Sequence, residues 1–209
     1  FYVMERRRGI VVRHDEPLGL ANHPDERRRV REALIDTLVD LHAVDATRAP
    51  ISGLGKPAGF VGRQVRGWTE RWQRSKTTEI PEMDRLATML AERVPPDPIE
   101  PSVVHGDFKL DNVLLDPLDL GRVSAVFDWE MCALGDPLID LGILLAYWSP
   151  TAPPEQQDAL TTVTSRPGYL TRDEIVERYA TRSGRDVSMI RFYETFALFK
   201  IAVVIQQIY

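Results

Sequence analysis

The sequence predicts a mostly helical α+β fold that contains one β-hairpin. Apolar residues recur at helical spacing in several long segments, which is the pattern of amphipathic helices packed on a core. Two short apolar runs, residues 113–115 and 123–127, are instead rich in β-branched residues and are separated by turn-forming residues, so we expect them to pair. With 44% hydrophobic residues over 209 positions, the chain can bury a sizeable core.

Charge and cysteine content exclude several classes of function. A formal net charge of -5 gives no basic field of the kind that a general nucleic-acid binder shows. Cys132 is the single cysteine, so we expect neither an internal disulfide framework nor a cysteine-based zinc site, and a reducing cytoplasm is the default. No apolar run approaches membrane-spanning length. We therefore predict a cytoplasmic protein without a nucleic-acid or membrane partner.

Three helices are predicted before the hairpin. The first begins near Pro24, and its apolar stripe consists of Val30, Leu34, Leu38 and Leu41. The second runs from Phe60 to about Lys76; it carries Val61, Val65, Trp68 and Trp72 on one face and Arg63, Arg66, Glu70 and Arg74 on another. The third runs from Pro81 to Val94, where a proline-rich segment ends it.

More helices are predicted after the hairpin. Asp136 and Pro137 form a helix start, with Asp136 as the cap and Pro137 at the first helical position. Asp140 falls in the otherwise apolar turn that follows, and a buried carboxylate needs hydrogen-bond partners. Further helices are expected around residues 154–163, 172–182 and 187–208.

The residues that flank the hairpin point to phosphoryl chemistry. In an antiparallel hairpin, the residue before the first strand and the residue after the second lie at the same end, so Asn112 and Asp128 should be neighbours. An amide oxygen beside a carboxylate is a pair that Mg²⁺ accepts while it binds substrate phosphates. Asp107 can orient a hydroxyl group and accept its proton. Lys109 is a flexible point charge that can reach a transferring phosphoryl group.

Three motifs in this region carry a family resemblance. Residues 105–112, HGDFKLDN, resemble the catalytic loop H-x-D-x-x-x-x-N of protein-kinase-like enzymes, and residues 128–130, DWE, stand where those enzymes carry a metal-binding D-F-G. Together with GDPLIDL at residues 135–141, they resemble the aminoglycoside phosphotransferase and choline kinase-type family. Within this family, the sequences of the three motifs are most similar to those of the phosphotransferases related to the ones fused to acyl-CoA dehydrogenases.

The resemblance implies a bilobal kinase-like fold, ATP or GTP with Mg²⁺, and a small-molecule alcohol as the acceptor. It implies Asp107 as the catalytic base and Asn112 and Asp128 as the metal ligands, with direct in-line transfer that Lys109 assists. Asp140 is expected to hydrogen-bond the catalytic-loop backbone. His105 is assigned a supporting role, and so is Glu130, near the metal or the substrate.

The resemblance also suggests how the domains are divided. Residues 1–6 resemble the last strand of a small lobe and the hinge, where Met4, Glu5 and Arg6 would meet the nucleotide base. Residues 7–209 are then the large catalytic lobe, truncated at both ends relative to the family. Neither a glycine-rich phosphate loop nor a strand lysine that follows one is recognisable.

Other functions remain open at this point. One is a catalytically idle kinase-like module that binds a nucleotide or a partner. Another is a metal-dependent phosphohydrolase that uses His105, Asp107 and Asp128, which is disfavoured because a two-metal site needs more histidine and carboxylate ligands. A separate hypothesis concerns the acceptor: if the arginine face of the second helix borders the acceptor cleft, an anionic substrate is favoured over a polycation.

Overall fold

The computed structural model describes residues 5–13, 16–17, 20, 24–48, 50–148, 162–165 and 168–208. The helices within them are α1 (Pro24–His42), α2 (Phe60–Ser75), α3 (Pro81–Glu92), α4 (Leu138–Tyr147), α5 (Arg172–Ser183) and α6 (Ile190–Ile208). The strands are β1 (Ser102–Val104), β2 (Val113–Asp116), β3 (Asp119–Val126) and β4 (Ala133–Gly135). This architecture confirms the predicted mostly helical α+β class. A search of the described residues finds no helix with the length and apolarity that crossing a membrane requires.

The outer helices bury the faces that the sequence predicts. In α1, the side chains of Val30, Leu34 and Leu38 are fully buried. In α2, the tryptophan face is buried, whereas the face with Arg63 and Arg66 is exposed. Burying one such apolar side chain stabilises the fold by roughly 1.5–3 kcal/mol, so these faces fix how each helix sits on the core.

Helix α4 lies at the centre of the molecule. Every residue from Leu138 to Ala146 is buried, as expected for a helix that is apolar on all sides. It packs along α6 at close range: a Cβ on Gly142 would lie 2.6 Å from the backbone of Tyr193. Asp140 is the exception to the apolar composition of α4, and the helix therefore places a carboxylate in the middle of the core.

The hairpin is confirmed, with a tighter turn than predicted. Strands β2 and β3 are antiparallel, with Val113 opposite Val126 and Leu114 opposite Ala125, and the register then shifts towards the turn. The apolar runs placed the second strand at residues 123–127, but β3 already begins at Asp119. The physical reason is the Asp116 carboxylate, which accepts the N–H of Leu118 at 2.8 Å and reverses the chain early.

A second antiparallel pair, β1 with β4, was not anticipated. β4 is only three residues long and lies directly after a short helical turn at Trp129–Met131. Ile10 adds a further bridge on the outer side of the hairpin, where its backbone exchanges hydrogen bonds with Leu115 at 3.0 and 2.8 Å. The antiparallel pairing of β1 with β4 brings the segment after β1 close to the short helical turn that precedes β4.

Several predicted boundaries differ from the observed ones. Helix α3 ends at Glu92, α4 begins one residue after Pro137, and α6 begins at Ile190 rather than 187. Most of the helix predicted around residues 154–163 lies outside the described residues. Of that region, the structure describes a short helical turn at Thr162–Ser165.

Candidate active site

Asp107 lies in the turn between β1 and the hairpin, and its carboxylate is bound on one oxygen. Oδ2 accepts hydrogen bonds from Nζ of Lys109 at 2.7 Å and from Nδ2 of Asn112 at 3.2 Å. Within the described part of the chain, no side chain or backbone group donates a hydrogen bond to Oδ1. The side chain is 19% exposed, so Oδ1 remains available to a hydroxyl group that enters the site.

Lys109 is a partly buried cation held between an anion and an aromatic ring. Its Nζ pairs with Asp107 and lies 4.8 Å from the ring centroid of Tyr147. Burial by itself lowers the pKa of Lys109, but the hydrogen bond and the charge of Asp107 outweigh that effect and raise the pKa above its ordinary value. The side chain therefore stays charged at neutral pH and can approach an anionic group.

Asn112 and Asp128 lie at the same end of the hairpin, as the sequence predicts. Nδ2 of Asn112 also donates to the backbone oxygen of Asp107 at 2.9 Å, and the backbone oxygen of Asn112 accepts the N–H of Phe127 at 2.8 Å. Asp128 follows with a φ of 68°, a left-handed conformation that is uncommon for a residue other than glycine. Its carboxylate is exposed.

These two residues offer a donor set that fits Mg²⁺. Within the described ranges, neither Oδ1 of Asn112 nor the carboxylate of Asp128 takes part in a hydrogen bond or an ion pair. One amide oxygen and one carboxylate are hard ligands, and Mg²⁺ typically combines one or two such ligands with water and substrate phosphates. The residues present therefore suit the ion that the family resemblance implies.

The His105 ring lies fully buried below this turn, and both of its nitrogens are engaged. Nδ1 accepts the backbone N–H of Asp107 at 3.2 Å, so the ring proton is on Nε2, which donates to the backbone oxygen of Phe127 at 2.7 Å. The ring also packs against Trp129, with the centroids 4.8 Å apart. His105 thus links the segment with Asp107 to the segment with Asp128.

Asp140 anchors the turn from the core. Its Oδ2 accepts the backbone N–H of His105 and its Oδ1 accepts that of Gly106, both at 2.7 Å. Nε2 of His42 also lies 3.3 Å from Oδ2, and Nδ1 of His42 lies 2.8 Å from the hydroxyl of Tyr179. The structure therefore contains the backbone hydrogen bonds expected for Asp140, and it extends them through His42 to α5.

Gly106 is required by the shape of the turn. Its φ is +85°, and a Cβ at this position would lie 2.8 Å from both Cβ and the backbone oxygen of Met131. A side chain would therefore strain the backbone and collide with a neighbour that cannot easily move. The turn that presents Asp107 depends on this glycine.

A small cavity of about 150 Å³, here called the Asp107 cavity, opens in front of Asp107 and Lys109. Its other principal lining residues are Trp68, Tyr147, Lys200 and Ile201. Neither Arg63 nor Arg66 lines it. The guanidinium of Arg63 instead donates to the backbone oxygens of Lys56 and Ala58. The hypothesis of an arginine face beside the acceptor cleft therefore loses its structural support.

Of the remaining predicted site residues, Glu130, Glu5 and Arg6 are exposed. Glu130 is exposed in the short helical turn after Asp128. Glu5 and Arg6 belong to the segment without regular secondary structure that leads to Ile10. Met4 lies outside the described residues. Their assigned roles stay predictions.

Sequence reasoning overlooked Lys200 and assigned Trp68 only to the apolar face of its helix. Lys200 had a detectable signal, because it is the single charged residue in the apolar segment 196–205. His42 is buried with both ring nitrogens near a partner, and one of these partners, Asp140, is 98 positions away in the sequence. Trp68 belongs to the predicted buried face, and the structure shows that it also lines the Asp107 cavity.

The sequence is similar to known proteins along its whole length. Residues 1–175 match the family model described as "Phosphotransferase enzyme family". The chain is 34% identical over 213 residues to acyl-CoA dehydrogenase family member 11 of Rattus norvegicus, and 32% identical over 211 residues to member 10 of Mus musculus. Both matches cover all of this chain but only 27% and 19% of those proteins, so the chain spans about a quarter of such relatives or less.

Solved structures share the fold. A Ralstonia eutropha protein assigned as an aminoglycoside phosphotransferase is 30% identical, with a TM-score of 0.80 over 95% of this chain and 61% of its own. Aminoglycoside phosphotransferase APH(4)-Ia, solved with ADP and hygromycin B, has a TM-score of 0.57 at 19% identity over 95% of this chain and 63% of its own. The APH(2") enzyme solved with GDP and kanamycin has a TM-score of 0.61 at 15% identity over 94% and 60%. The predicted kinase-like fold is confirmed.

Proposed function

The chain belongs to the phosphotransferase enzyme family, and from that premise we propose that it transfers the γ-phosphoryl group of a nucleotide to a hydroxyl group of a small molecule. The observation that carries the proposal is the state of Asp107. One carboxylate oxygen is fixed by Lys109 and Asn112, and the other is available at the entrance of a cavity. A base for an acceptor hydroxyl needs this combination of fixed orientation and access.

Asp107 and Lys109, both in the turn, have different roles in the transfer. Oδ1 of Asp107 binds the acceptor hydroxyl, aligns its oxygen with the γ-phosphorus, and accepts its proton as the new O–P bond forms. The bond between the γ-phosphorus and the β–γ bridging oxygen breaks in the same step, and the nucleoside diphosphate leaves with that oxygen. Lys109 moves from Oδ2 towards the phosphoryl group as negative charge develops on it. Its raised pKa supports this role, since the side chain is charged before the substrates bind.

Asn112 and Asp128 would hold Mg²⁺, which when bound supplies charge neutralisation at the phosphate oxygens. The left-handed backbone at Asp128 supports this assignment, because strained conformations persist mainly where a site depends on them. Glu130 would assist from the neighbouring turn by hydrogen bonds to metal-bound water or to the acceptor.

The nucleotide is ATP or GTP in this proposal. Phosphotransferases of the same fold were solved with ADP and with GDP, which supports a nucleoside triphosphate donor in general and does not distinguish the two. The backbone of residues 4–6, which includes Met4, Glu5 and Arg6, would contact the base. Ile10 lies shortly after these residues, and its bridge with Leu115 fixes this part of the chain beside the hairpin, which supports the assignment.

The Asp107 cavity favours an acceptor that is partly apolar and not a polycation. Lys200 and the Lys109–Asp107 pair line it, so its wall carries two positive charges and one negative charge, and the excess positive charge repels a polycation. The rest of the lining is aromatic or aliphatic, which suits the carbon skeleton of a small alcohol.

The alternatives have less support. For the phosphohydrolase, His105 would have to ligate a metal, but both ring nitrogens are engaged with the backbone and the ring is fully buried. For the idle module, the arrangement of Asp107 would have no purpose, since nucleotide binding alone does not require an oriented base beside a cavity. Measured activity decides between the idle module and the kinase.

Two substitutions in the intact protein test the assigned roles. Asp107→Asn should lower kcat by about 10²–10⁴-fold, because the base is lost, while ADP affinity stays close to that of the wild type. Asp128→Ala should instead weaken the binding of magnesium nucleotide, measured by calorimetry. Asp40→Asn, an exposed carboxylate on α1, is the matched control and should change neither quantity. Equal losses of kcat and nucleotide affinity in both variants would contradict the separate roles.

A further inference from the structure

Lys200 is a buried cation on α6 that the proposed reaction does not yet use. The residue is only 7% exposed and is surrounded by the apolar segment 196–205 of the same helix. Burial of an ammonium group costs free energy unless the protein supplies partners. The partners of Lys200 therefore indicate why the charge is placed there.

The ammonium group has one strong partner, and it belongs to the catalytic turn. Nζ donates a hydrogen bond of 2.6 Å to the backbone oxygen of Gly106. Its other contacts are weak: the sulfur of Met131 at 3.7 Å and the ring of Trp68, whose centroid is 5.3 Å away. Among the described residues, no carboxylate forms an ion pair with it, although the charges of Asp107 and Asp140 act on it at longer range.

The Gly106 oxygen is part of the peptide bond that carries Asp107. The N–H of that peptide donates to Nδ1 of His105 at 3.2 Å, and its oxygen accepts from Lys200. The two ends of the peptide plane are thus held from opposite sides, by the turn itself and by α6. Since Gly106 lacks a Cβ, this plane depends on both contacts, and Lys200 supplies the one that comes from outside the turn.

We propose that Lys200 is a positioning residue for the transfer: its ammonium group holds the Gly106 carbonyl and thereby fixes the orientation in which Asp107 meets the acceptor hydroxyl. The inference rests on the proposed function and adds to it a residue 94 positions from Gly106. It also explains the position of the cation, because Lys200 lines the Asp107 cavity and couples α6 to the base.

Burial lowers the pKa of Lys200, whereas the charges of Asp107 and Asp140 oppose that effect. A cation without a contacting carboxylate contributes little to the stability of the fold and can reduce it. A substitution of Lys200 can therefore distinguish a structural role from a positioning role. A purely structural lysine should lower stability when it is removed, whereas a positioning lysine should lower kcat without lowering stability.

The test compares Lys200→Met with Lys200→Arg in the intact protein. Methionine keeps the length and the packing against Trp68 but removes the charge and the donor. We expect Lys200→Met to lower kcat by about 10- to 100-fold with the nucleotide KM little changed. The Tm should stay close to that of the wild type, because the buried Gly106 oxygen loses its donor while a buried charge is removed, and the two effects oppose each other. Lys200→Arg, which restores a donor, should recover most of kcat.

Amide hydrogen exchange provides a readout that does not depend on activity. Exchange of the Asp107 amide, followed by NMR, should become about tenfold faster in Lys200→Met, because the peptide plane is released. The matched control is Lys76→Met, which removes a lysine paired with Glu79 and Asp84 and should change neither kcat nor this exchange rate.

The outcomes separate the two proposals. Unchanged exchange at Asp107 in Lys200→Met overturns the positioning role, and so does a kcat within twofold of the wild type. A fall in kcat that is matched by a fall in Tm and is not recovered by arginine also overturns it. If the wild-type protein transfers no phosphoryl group to any acceptor, the proposed function fails, and the exchange measurement alone decides whether Lys200 holds the turn.

Discussion

The catalytic turn, residues 105–112, and the surface between α1 and α5 are both held by charged side chains, but they differ in burial. On that surface, called here the α1–α5 seam, Asp36 pairs with Arg178 at 2.9 Å and with Arg182 at 3.3 Å. The three side chains are 26%, 27% and 48% exposed. Below the catalytic turn, Asp140 makes contacts of similar length with no exposure at all.

The comparison shows that burial, rather than the number of contacts, decides what a charge contributes. In the seam, water can replace any lost partner and salt screens the pair, so each ion pair stabilises by about 1 kcal/mol or less. Around Asp140, no water replaces a lost oxygen, and the N–H groups that it accepts would remain unsatisfied. The seam can vary at low cost, while the catalytic turn cannot.

The largest effect should follow from Asp140→Ala. The variant leaves the backbone N–H groups of His105 and Gly106 buried without an acceptor, and it removes a partner of His42. We expect a loss of about 3–5 kcal/mol in the free energy of unfolding, measured by urea denaturation. Asp140→Asn keeps one acceptor oxygen and should lose less. A loss below about 1 kcal/mol for the alanine variant would show that Asp140 stabilises the fold no more than a partly exposed ion pair of the seam does.

A smaller loss is expected for Gly106→Ala. The new methyl group would overlap Met131 at a backbone angle that disfavours side chains, which should cost about 1–3 kcal/mol and reduce kcat as the turn shifts. The control is Gly67→Ala in the middle of α2, where a Cβ would meet nothing within 4 Å. Since alanine is a better helix former, that variant should gain up to about 1 kcal/mol. Similar thermal shifts for both would contradict the strained turn.

The smallest effect should come from the seam. Asp36→Asn removes the charge that Arg178 and Arg182 share, and it should destabilise the protein by about 0.5–1 kcal/mol at low salt, with kcat unchanged. The difference should shrink at about 0.5 M salt, where screening already weakens the pair. The measurement is paired urea denaturation at the two salt concentrations. A salt-independent loss above about 2 kcal/mol would show that the seam behaves like a buried site.

Much of the fold was predictable because its signals are local. The helical spacing of Val30, Leu34 and Leu38 identified α1, and the two β-branched runs identified the hairpin. Strand β4 was missed because three residues, Ala133–Gly135, are too short to show a period. The exact turn was also missed, since it depends on the orientation of the Asp116 side chain, which no pattern of residue types records.

The candidate site also contains contacts that the sequence predicts and contacts that it does not. Asp107, Lys109 and Asn112 are within five positions of one another, so their spacing alone indicated that they would meet, and their side chains do. Lys200 could be noticed in the sequence as an isolated charge, but its target could not. The arginine face of α2 was proposed as part of the cleft because a helix face can be read from the sequence, whereas its direction relative to the site cannot.

The sequence by itself therefore determined the helices, the hairpin and the cluster of Asp107, Lys109 and Asn112, because each depends on residues close together in the chain. Only the tertiary structure decided what holds that cluster in place. The contacts of Gly106 with Lys200 and of Asp140 with His42 join residues 94 and 98 positions apart. The physical reason is that such contacts form when whole helices pack, and the position of α4 and α6 in the core is a property of all their buried side chains together.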